Sequence, residues 1–326
     1  MPEKWNKAVV VGDACVDVHL KLEDLLHDAS GKAVPYHLSL GGTIGGTAAA
    51  LAKLGVDTAF LGTVGKDYGG GYISEQMASL GIDTGLLIVK EELNTINVFA
   101  FIDEEGERHL WGFPRKDQAY CDLDLDRVDL NKIKEASWLH SSGMTMLSGG
   151  SIVESLPVLY RIAYEAGVET SFDLNTRVSD IGLLDPKAAD AIRKILPYVK
   201  YLTGSGKDEF LSLHPADDWR ESVRHFATKD RTVIARNGKE GYLVVSDTEE
   251  REYPSYDVEA VDTTGAGDCF NAGFIAAKLE GKDVYEACAY ANATAGYKIS
   301  GHEAFDKVEI TEFMKNTALR NKGERK

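Results

Sequence analysis

The sequence has fewer basic than acidic residues, and its cysteines form no recognisable motif. Each of these absences argues against a class of function. The 36 Lys and Arg residues stand against 52 Asp and Glu residues, giving a formal net charge of −16. Nucleic acids and anionic membrane surfaces are bound through basic stripes, so the composition argues against both partners. The four cysteines are widely spaced, without a CxxC or Cys/His pattern, which argues against a zinc site and fits a reducing compartment.

Long apolar runs are also missing. The N-terminal segment has only the run AVVV before Gly12 and Asp13, which is too short for the core of a signal peptide. No later stretch is apolar over a length that would span a bilayer. We therefore expect a cytoplasmic protein with no membrane partner.

Two common nucleotide-binding motifs are absent. The segment GSGKDE (204–209) resembles a P-loop, but Tyr201 stands where its first glycine is required. Asp208 follows the lysine, where a Ser or Thr hydroxyl would be needed for Mg²⁺. The first strand, AVVVGD (8–13), is not followed by the GxGxxG pattern of dinucleotide-binding folds.

Two kinds of strand pattern are present. AVVV is a continuous apolar run, typical of a strand buried on both faces of a parallel sheet. ACVDVHLKL (14–22) instead alternates apolar and polar residues, and TINVFAFIDEEGERHLWGF (95–113) holds two strand-like runs around a turn signal. Elsewhere strands alternate with helical patterns, including 266–280 and 284–299. We predict an α/β fold with a parallel sheet covered on both faces and a small antiparallel flap.

The segment DTTGAGD (262–268) is the strongest functional signal. It precedes an apolar helical pattern, so free backbone N–H groups and the helix dipole would favour a phosphate at that point. Asp268 would then lie close enough to accept a proton from an alcohol nucleophile. From these residues alone, a simple helix cap is an equally good interpretation.

The segment GGTIGGTAAALAKLG (41–55) places four glycines before or within a helical pattern. It either brings backbone close to a small ligand or forms an ordinary loop, and alone it does not decide between the two.

The order of the motifs is more specific than any one of them. VVGDACVDV, GGTIGGTAAALAKLG, FLGTVGKDYGG, FDLNTR and DTTGAGDCFNAGF together resemble the ribokinase-like (PfkB) family of carbohydrate kinases, from about Val9 to Phe305. The resemblance implies a three-layer α/β/α sandwich with a mostly parallel central sheet plus a small β-sheet lid. It implies a single kinase domain over 1–326, lid strands inserted at about 14–40 and 94–114, and a homodimer formed through the lid.

The resemblance also implies the chemistry of the site. Asp268 is expected to be the catalytic base, and the backbone of Gly265, Ala266 and Gly267 the anion hole. The sugar is expected at Asp13, Asp17, Gly41, Gly42, Gly46, Asn175 and Arg177. The nucleotide is expected at Glu209, Arg236, Gly238, Gly241 and Asn292, and a monovalent cation at Asp262 and Thr264. The implied cofactors are ATP and Mg²⁺, with K⁺ as a further hypothesis.

Three positions depart from the family pattern. Gly46 stands where an Asn usually contacts the sugar, which leaves the identity of the acceptor open. Gly206 replaces the Asn of the NxxE motif, whose Glu is present as Glu209. Arg236 stands where a Thr commonly approaches the nucleotide, and a cation there favours phosphate.

The leading hypothesis is an ATP-dependent kinase acting on a primary hydroxyl of a small sugar or sugar derivative. One alternative is a nucleoside kinase of the same fold, in which Trp111 and Phe113 of the lid would hold the base. The sequence favours a different role for these two aromatic residues, namely filling a small core of the lid itself, because aromatic side chains mostly pack. A second alternative is a catalytically weak sugar- or nucleotide-binding homologue, suggested by Gly46 and Gly206.

Overall fold

The strands of the chain form two separate sheets. A computed structural model describes residues 5–21, 36–102, 108–114, 116–177, 184–302 and 305–320. In chain order the strands of these residues are β1 (Ala8–Val11), β2 (Cys15–Lys21), β3 (His37–Gly41), β4 (Thr58–Gly65), β5 (Asp83–Lys90), β6 (Asn97–Ile102), β7 (Arg108–Phe113), β8 (Trp138–Ser142), β9 (Glu169–Asp173), β10 (Tyr201–Ser205), β11 (Thr232–Arg236), β12 (Tyr242–Val245) and β13 (Glu250–Tyr253).

The larger sheet is mostly parallel. Its nine strands lie in the order β13-β12-β11-β10-β9-β8-β1-β4-β5, and only the pairs β11–β12 and β12–β13 are antiparallel. In β1, Val9 and Val11 join the hydrophobic core on one face, while Ala8 and Val10 join the core on the other. The strand is therefore buried on both faces, as its continuous apolar run predicts.

Helices cover both faces of this sheet, so the α/β fold with a mostly parallel sheet is confirmed. In chain order they are α1 (Thr43–Lys53), α2 (Tyr68–Ser79), α3 (Leu130–Glu135), α4 (Ile152–Glu165), α5 (Pro186–Ile195), α6 (Glu209–Leu213), α7 (Trp219–Phe226), α8 (Ala266–Leu279), α9 (Val284–Ile299) and α10 (Lys307–Asn316). Helices α3 to α7 contribute to one core, and α1, α2, α8, α9 and α10 contribute to the other. Among the described residues, no helix is both long and apolar enough to cross a bilayer.

The smaller sheet has four strands in the order β3-β2-β6-β7. Strands β6 and β7 pair antiparallel, which confirms the predicted hairpin, although its turn at 103–107 and the predicted lid residues 22–35 lie outside the described residues. Paired residues share a face of a sheet. Asp17 pairs with Ser39 and Val98, whereas the neighbouring Val18 pairs with Phe99 on the opposite face. The sheet thus has one polar and one aromatic face.

Residues from several of the quoted motifs, together with Arg236, collect at one edge of the large sheet. Gly12 and Asp13 follow β1, Asp173 ends β9, and Arg236 ends β11. In open parallel α/β sheets, ligands bind at the carboxyl ends of the strands. The topology therefore places these side chains where a ligand is expected.

Candidate active site

Asp13 lies at the junction between the central sheet and the lid and is only 6% exposed. Its Oδ2 accepts a hydrogen bond from the Thr43 backbone N–H at 2.7 Å, and its Oδ1 accepts one from Thr145 Oγ1 at 3.0 Å. Burial raises the pKa of Asp13, while these two hydrogen bonds oppose the rise. The carboxylate is thus held rigidly at the start of α1, and Thr145 is a contact that no sequence motif indicated.

Gly42 and Gly41 are required by the close passage of the chain beside these carboxylates. Gly42 has φ +88°, and a Cβ atom there would lie 2.9 Å from the Asp13 carbonyl oxygen. A Cβ atom at Gly41 would overlap the carboxyl group of Asp17 on the neighbouring lid strand. The predicted sugar contacts Asp13, Asp17, Gly41 and Gly42 are therefore brought together, and the glycines leave room for the two carboxylates.

Helix α8 begins inside DTTGAGD. Gly265 is its N-cap and has φ +72°, a left-handed conformation that glycine adopts without strain. Its carbonyl accepts a hydrogen bond from Cys269 N–H at 2.9 Å, which places Asp268 in the first turn. The Ala266 N–H donates to the carbonyl of Thr263 at 3.2 Å. This start of the helix provides a positive dipole end beside the Asp268 carboxylate.

The pKa of Asp268 is raised well above its ordinary value. Burial is the main cause, and the nearby carboxylates of Asp173 and Asp13 add to the rise. Arg236 and Arg177 oppose it. Removing a carboxylate from water and placing it near other acids favours its protonated form, so this group has a stronger affinity for a proton than a surface aspartate.

Gly46 brings α1 directly against Asp268. A Cβ atom at Gly46 would lie 3.0 Å from Asp268 Oδ2 and 3.5 Å from Asp268 Cβ. The departure from Asn at this position therefore has a geometric consequence, because a residue without a side chain lets α1 approach the carboxylate this closely. The segment 41–55 and the segment 262–268, distant in the chain, face each other here.

A buried polar network beneath α8 was not identified from the sequence. Asp173 is fully buried, and its Oδ1 accepts a hydrogen bond from Arg236 Nη2 at 2.6 Å. Its Oδ2 accepts one from Asn271 Nδ2 at 2.8 Å, and Asn271 Oδ1 accepts one from Thr203 Oγ1 at 3.0 Å. Asp173 lies in FDLNTR and Asn271 in DTTGAGDCFNAGF, so two of the quoted motifs contained the signal.

Arg236 connects this network to the start of α8. Its Nη1 donates to the carbonyl oxygen of Gly267 at 3.2 Å, and a Cβ atom at Gly267 would lie 2.8 Å from Nη1. The guanidinium is thus engaged by Asp173 and by the backbone of the helix start. It fixes the position of the Gly265–Gly267 segment relative to the ends of β9 and β11.

Glu209 lies on the other side of Asp173. Its Oε2 accepts hydrogen bonds from the backbone N–H groups of Ser205 at 2.7 Å and Asn175 at 3.1 Å. Burial, followed by the field of Asp173, raises the pKa of Glu209 to about 7. The Asn175 side chain in turn accepts a hydrogen bond from Arg177 Nε at 2.9 Å, so three predicted residues form one connected group.

The replacement of the expected Asn by Gly206 has a packing cause. A Cβ atom at Gly206 would lie 2.6 Å from the Trp219 indole ring. Trp219 therefore occupies the space that a side chain at position 206 would need, and only Glu209 remains from the NxxE motif.

Of the five residues predicted for the nucleotide, Glu209 and Arg236 lie beside Asp173, and the other three form a second group. Gly238 and Gly241 have φ of +54° and +104°, and a Cβ atom at Gly241 would overlap the Tyr253 carbonyl oxygen. Asn292 Nδ2 donates to the carbonyl oxygen of Pro254 at 3.2 Å. Gly241 and Asn292 thus converge on the segment 253–254.

The residues predicted for a monovalent cation lie just before α8. Asp262 Oδ1 accepts a hydrogen bond from Thr264 N–H at 2.9 Å. The ammonium nitrogen of Lys298, which the sequence did not single out, lies 3.8 Å from Asp262 Oδ2.

The lid aromatics do not fill a core of the lid. Trp111 is 52% exposed and Phe113 is 56% exposed, so the interpretation that they pack inside the lid is wrong. Trp111 pairs with Phe99 and lies on the aromatic face, whereas Asp17 lies on the polar face. The two aromatic residues therefore do not share a face with Asp17.

Comparison with known proteins decides the family. The model of the pfkB family of carbohydrate kinases matches residues 6–310. The chain belongs to this family. This pfkB kinase is 32% identical over 289 residues to an ATP-dependent ribose-1-phosphate kinase of Halopiger xanaduensis. The alignment covers 88% of this chain and 89% of that protein. The chain is 26% identical over 321 residues to a 5-dehydro-2-deoxygluconokinase of Geobacillus thermodenitrificans, covering 94% and 93%.

Solved structures agree with this assignment. The E. coli protein described as a putative ribokinase II in complex with ATP and Mg²⁺ superposes with a TM-score of 0.80 and 25% identity, covering 95% of this chain and 99% of that one. The ribokinase-like fold inferred from the motifs is thus confirmed, and the protein is an ATP-dependent carbohydrate kinase of the pfkB family.

Proposed function

We propose that this kinase transfers the γ-phosphoryl group of ATP to a primary hydroxyl of a small sugar or sugar derivative. In this proposal Asp268 is the general base, and the backbone of Gly265, Ala266 and Gly267 binds the charge on the migrating group. The Ala266 N–H, which donates to the Thr263 carbonyl at 3.2 Å, would exchange that partner for the phosphoryl group. The observation that carries the proposal is the position of Asp268 in the first turn of α8, directly beside Gly46 of α1.

The geometry suits phosphoryl transfer because this reaction needs positioning and charge stabilisation more than covalent chemistry. The N-terminus of α8 offers its dipole to the phosphoryl oxygens. Asp268 lies beside it with a raised pKa, so it is a good proton acceptor once deprotonated. Arg236 donates a hydrogen bond to the Gly267 carbonyl at the helix start, and so fixes the position of the proposed base relative to the proposed anion hole.

Mg²⁺ and ATP fit the charges of this site. Asp173, Asp268 and Glu209 concentrate negative charge near Arg236. Burial raises the pKa of Asp268 and of Glu209, and the neighbouring carboxylates raise both further. Mg²⁺ is usually held by one or two carboxylates together with substrate phosphates. Glu209 would help to hold the ion through water, and the ion would neutralise charge on the ATP phosphates. Gly238, Gly241 and Asn292 would border the nucleotide.

The acceptor is proposed to lie between the lid and α1. Asp13, Asp17, Gly41 and Gly42 form its border, with Asn175 and Arg177 on the far side. Asn175 Nδ2 lies 3.5 Å from Thr43 Oγ1, which joins the two sides.

Substitution of Asp268 by Asn tests the mechanism. Loss of a general base is expected to lower kcat by roughly 10²–10⁴-fold, measured as ADP release with each accepted sugar. Asp190→Asn is a matched control, because Asp190 is an exposed acid paired with Lys194 on α5. Turnover of Asp268→Asn at a rate close to that of the control would contradict the assignment.

A panel of acceptors tests the substrate class. It contains ketoses, pentoses, nucleosides, sugar acids such as 5-dehydro-2-deoxygluconate, and ribose 1-phosphate, with ADP release under Mg²⁺ as the readout. We expect turnover in the sugar and sugar-derivative group. Turnover confined to nucleosides would favour the nucleoside-kinase alternative, and calorimetric binding of a sugar without ADP release would favour the non-catalytic one.

We also propose that the protein forms a homodimer through the aromatic face of the lid. Trp111 and Phe113 are exposed there beside Phe99 and Phe101, and a second copy would cover them and the open edge strand β7. The double substitution of Trp111 and Phe113 by Ser is expected to lower the mass measured by sedimentation to that of a monomer. A wild-type protein that sediments as a monomer would refute this proposal.

A further inference from the structure

The segment 261–264 that leads into α8 is bound entirely by groups of this chain. The carbonyl oxygen of Ile299, at the end of α9, accepts hydrogen bonds from Val261 N–H at 2.7 Å and from Asp262 N–H at 3.2 Å. Asp262 Oδ1 accepts the Thr264 N–H at 2.9 Å. The Val261 and Asp262 N–H groups thus have an acceptor within the chain and Asp262 Oδ1 has a donor, which ties the end of α9 to the start of α8.

The remaining carboxylate oxygen of Asp262 faces a positive charge that belongs to the chain. Lys298 Nζ lies 3.8 Å from Asp262 Oδ2, and the two side chains are only 21% and 23% exposed. Lys298 lies in the last turn of α9, one residue before the Ile299 carbonyl that holds the segment. The side chain and the backbone of this turn therefore act on the same loop.

The ammonium group of Lys298 is close enough to influence the first turn of α8. Burial and the neighbouring Asp268 raise the pKa of the Cys269 thiol to about 12, and the field of Lys298 opposes this rise. The charge of Lys298 is thus felt at the residue that follows Asp268. It would also offset the negative field that Asp262 alone would exert on an incoming phosphoryl group.

A free monovalent cation beside Asp262 would perform these same two tasks, namely compensating the carboxylate and holding the loop. We propose that Lys298 replaces such a cation, so that this kinase positions its anion hole without K⁺. Lys298 is in this view a positioning residue, since it acts through Asp262 and the loop rather than on the substrate. The kinetic part of this inference rests on the proposed kinase function.

The test compares KCl with tetramethylammonium chloride at equal ionic strength, in the presence of Mg²⁺ and ATP. For the wild-type protein we expect the same kcat and the same Tm in both salts. For Lys298→Met we expect kcat to fall in tetramethylammonium and to recover in K⁺ by about 5- to 150-fold, the usual range of coupling between two sites. K⁺ should also raise the Tm of this variant, because an ion that binds only the folded state stabilises it.

Two further variants separate charge replacement from general damage. Lys298→Arg keeps the positive charge, and its kcat and Tm are expected to be the same in K⁺ and in tetramethylammonium. Lys194→Met removes an exposed lysine that is paired with Asp190 on α5, and is expected to behave as the wild type. A merely structural role for Lys298 would lower the stability of Lys298→Met without making either kcat or Tm respond to K⁺.

The proposal is overturned if K⁺ activates or stabilises the wild-type protein, or if Lys298→Met responds to K⁺ in neither measurement. If Lys298→Met does not fold, the wild-type comparison alone decides between the two outcomes. If no acceptor is phosphorylated, the proposed function fails, but the Tm comparison still decides whether Lys298 occupies the place of a cation.

Discussion

Replacing Asp173 by Asn is the most informative single change. The two side chains are nearly isosteric, and Asp173 is the central residue of the buried hydrogen-bond network beneath α8. Asp173 Oδ1 accepts from Arg236 and Oδ2 accepts from Asn271, whose own Oδ1 is occupied by Thr203. An Asn at this position has one acceptor and one donor. In either orientation its NH₂ group faces another donor, either the Arg236 guanidinium or the Asn271 NH₂.

The expected cost follows from this mismatch. Asp173 is fully buried and the Arg236 side chain is 18% exposed, so the substitution leaves a largely buried cation without its partner. Breaking a buried ion pair in this way typically costs about 3–5 kcal/mol of unfolding free energy. The double variant Asp173→Asn/Arg236→Met removes the unpaired charge, and its loss is expected to be smaller than the sum of the two single losses.

The same substitution is expected to change the pH dependence of the reaction. Asp173 is the carboxylate that contributes most, after burial, to the raised pKa of Asp268, while Arg236 lowers that pKa. Removing the acid while keeping the arginine lowers the pKa of Asp268, so the acid limb of the kcat profile should move to lower pH.

Urea unfolding at neutral pH and a profile of kcat against pH together test this reasoning. A loss of unfolding free energy below about 1 kcal/mol in Asp173→Asn would show that the buried hydrogen bonds and ion pair of Asp173 contribute little to stability. An acid limb that stays in place, or moves to higher pH, would refute the electrostatic coupling of Asp173 to Asp268.

Three further changes are predicted. Gly46→Ala is expected to stabilise α1 by up to about 1 kcal/mol, because Ala has a higher helix propensity than Gly. It is also expected to lower kcat/KM, because its Cβ atom would lie 3.0 Å from Asp268 Oδ2. Measuring Tm and kinetics on the same variant checks both effects. Gly206→Ala is expected to lower the unfolding free energy by about 1–3 kcal/mol, because its Cβ atom would lie 2.6 Å from the Trp219 ring. Most of this loss should disappear in a Trp219→Ala background, which thermal unfolding of the single and double variants would show. The pKa of Glu209 rises from 4.5 to about 7 on folding, so the folded protein binds this proton more tightly than the unfolded chain and stability falls as pH rises through that window. Glu209→Gln should remove this loss of about 3 kcal/mol between pH 4.5 and 7, seen as a flatter dependence of the unfolding free energy on pH.

The main sheet and its helices were predictable because their signals are local. The continuous run AVVV becomes β1, and the apolar patterns at 266–280 and 284–299 become α8 and α9 within one residue. The hairpin of β6 and β7 was predictable from alternation and a turn signal. In each case a short stretch of chain carries the information, since burial on one or two faces sets the residue pattern.

The supporting contacts of the site could not be predicted because they join residues far apart in the chain. Thr145 reaches Asp13 across 132 positions and Asn271 reaches Asp173 across 98, and neither residue type is unusual in its local setting. The sequence shows that Gly206 departs from the family pattern. The reason for the departure, the indole ring of Trp219 beside it, is apparent only in the three-dimensional structure. The pairing of Lys298 with Asp262 is hidden for the same reason.

Apart from Asn175 and Arg177 on the acceptor side, the two ends of the proposed reaction centre are built from different parts of the chain. Asp13, Asp17 and the glycines at 41–46 all precede residue 50, whereas Asp173, Glu209, Arg236 and Asp268 all follow residue 170. With the acceptor bound where we propose, changes in the early segments would alter the choice of alcohol and leave the proposed phosphate-binding residues unchanged. An arrangement of this kind allows one ancestral scaffold to acquire new acceptors by local substitution, and exchange of residues 13–46 between related kinases would carry acceptor preference with it.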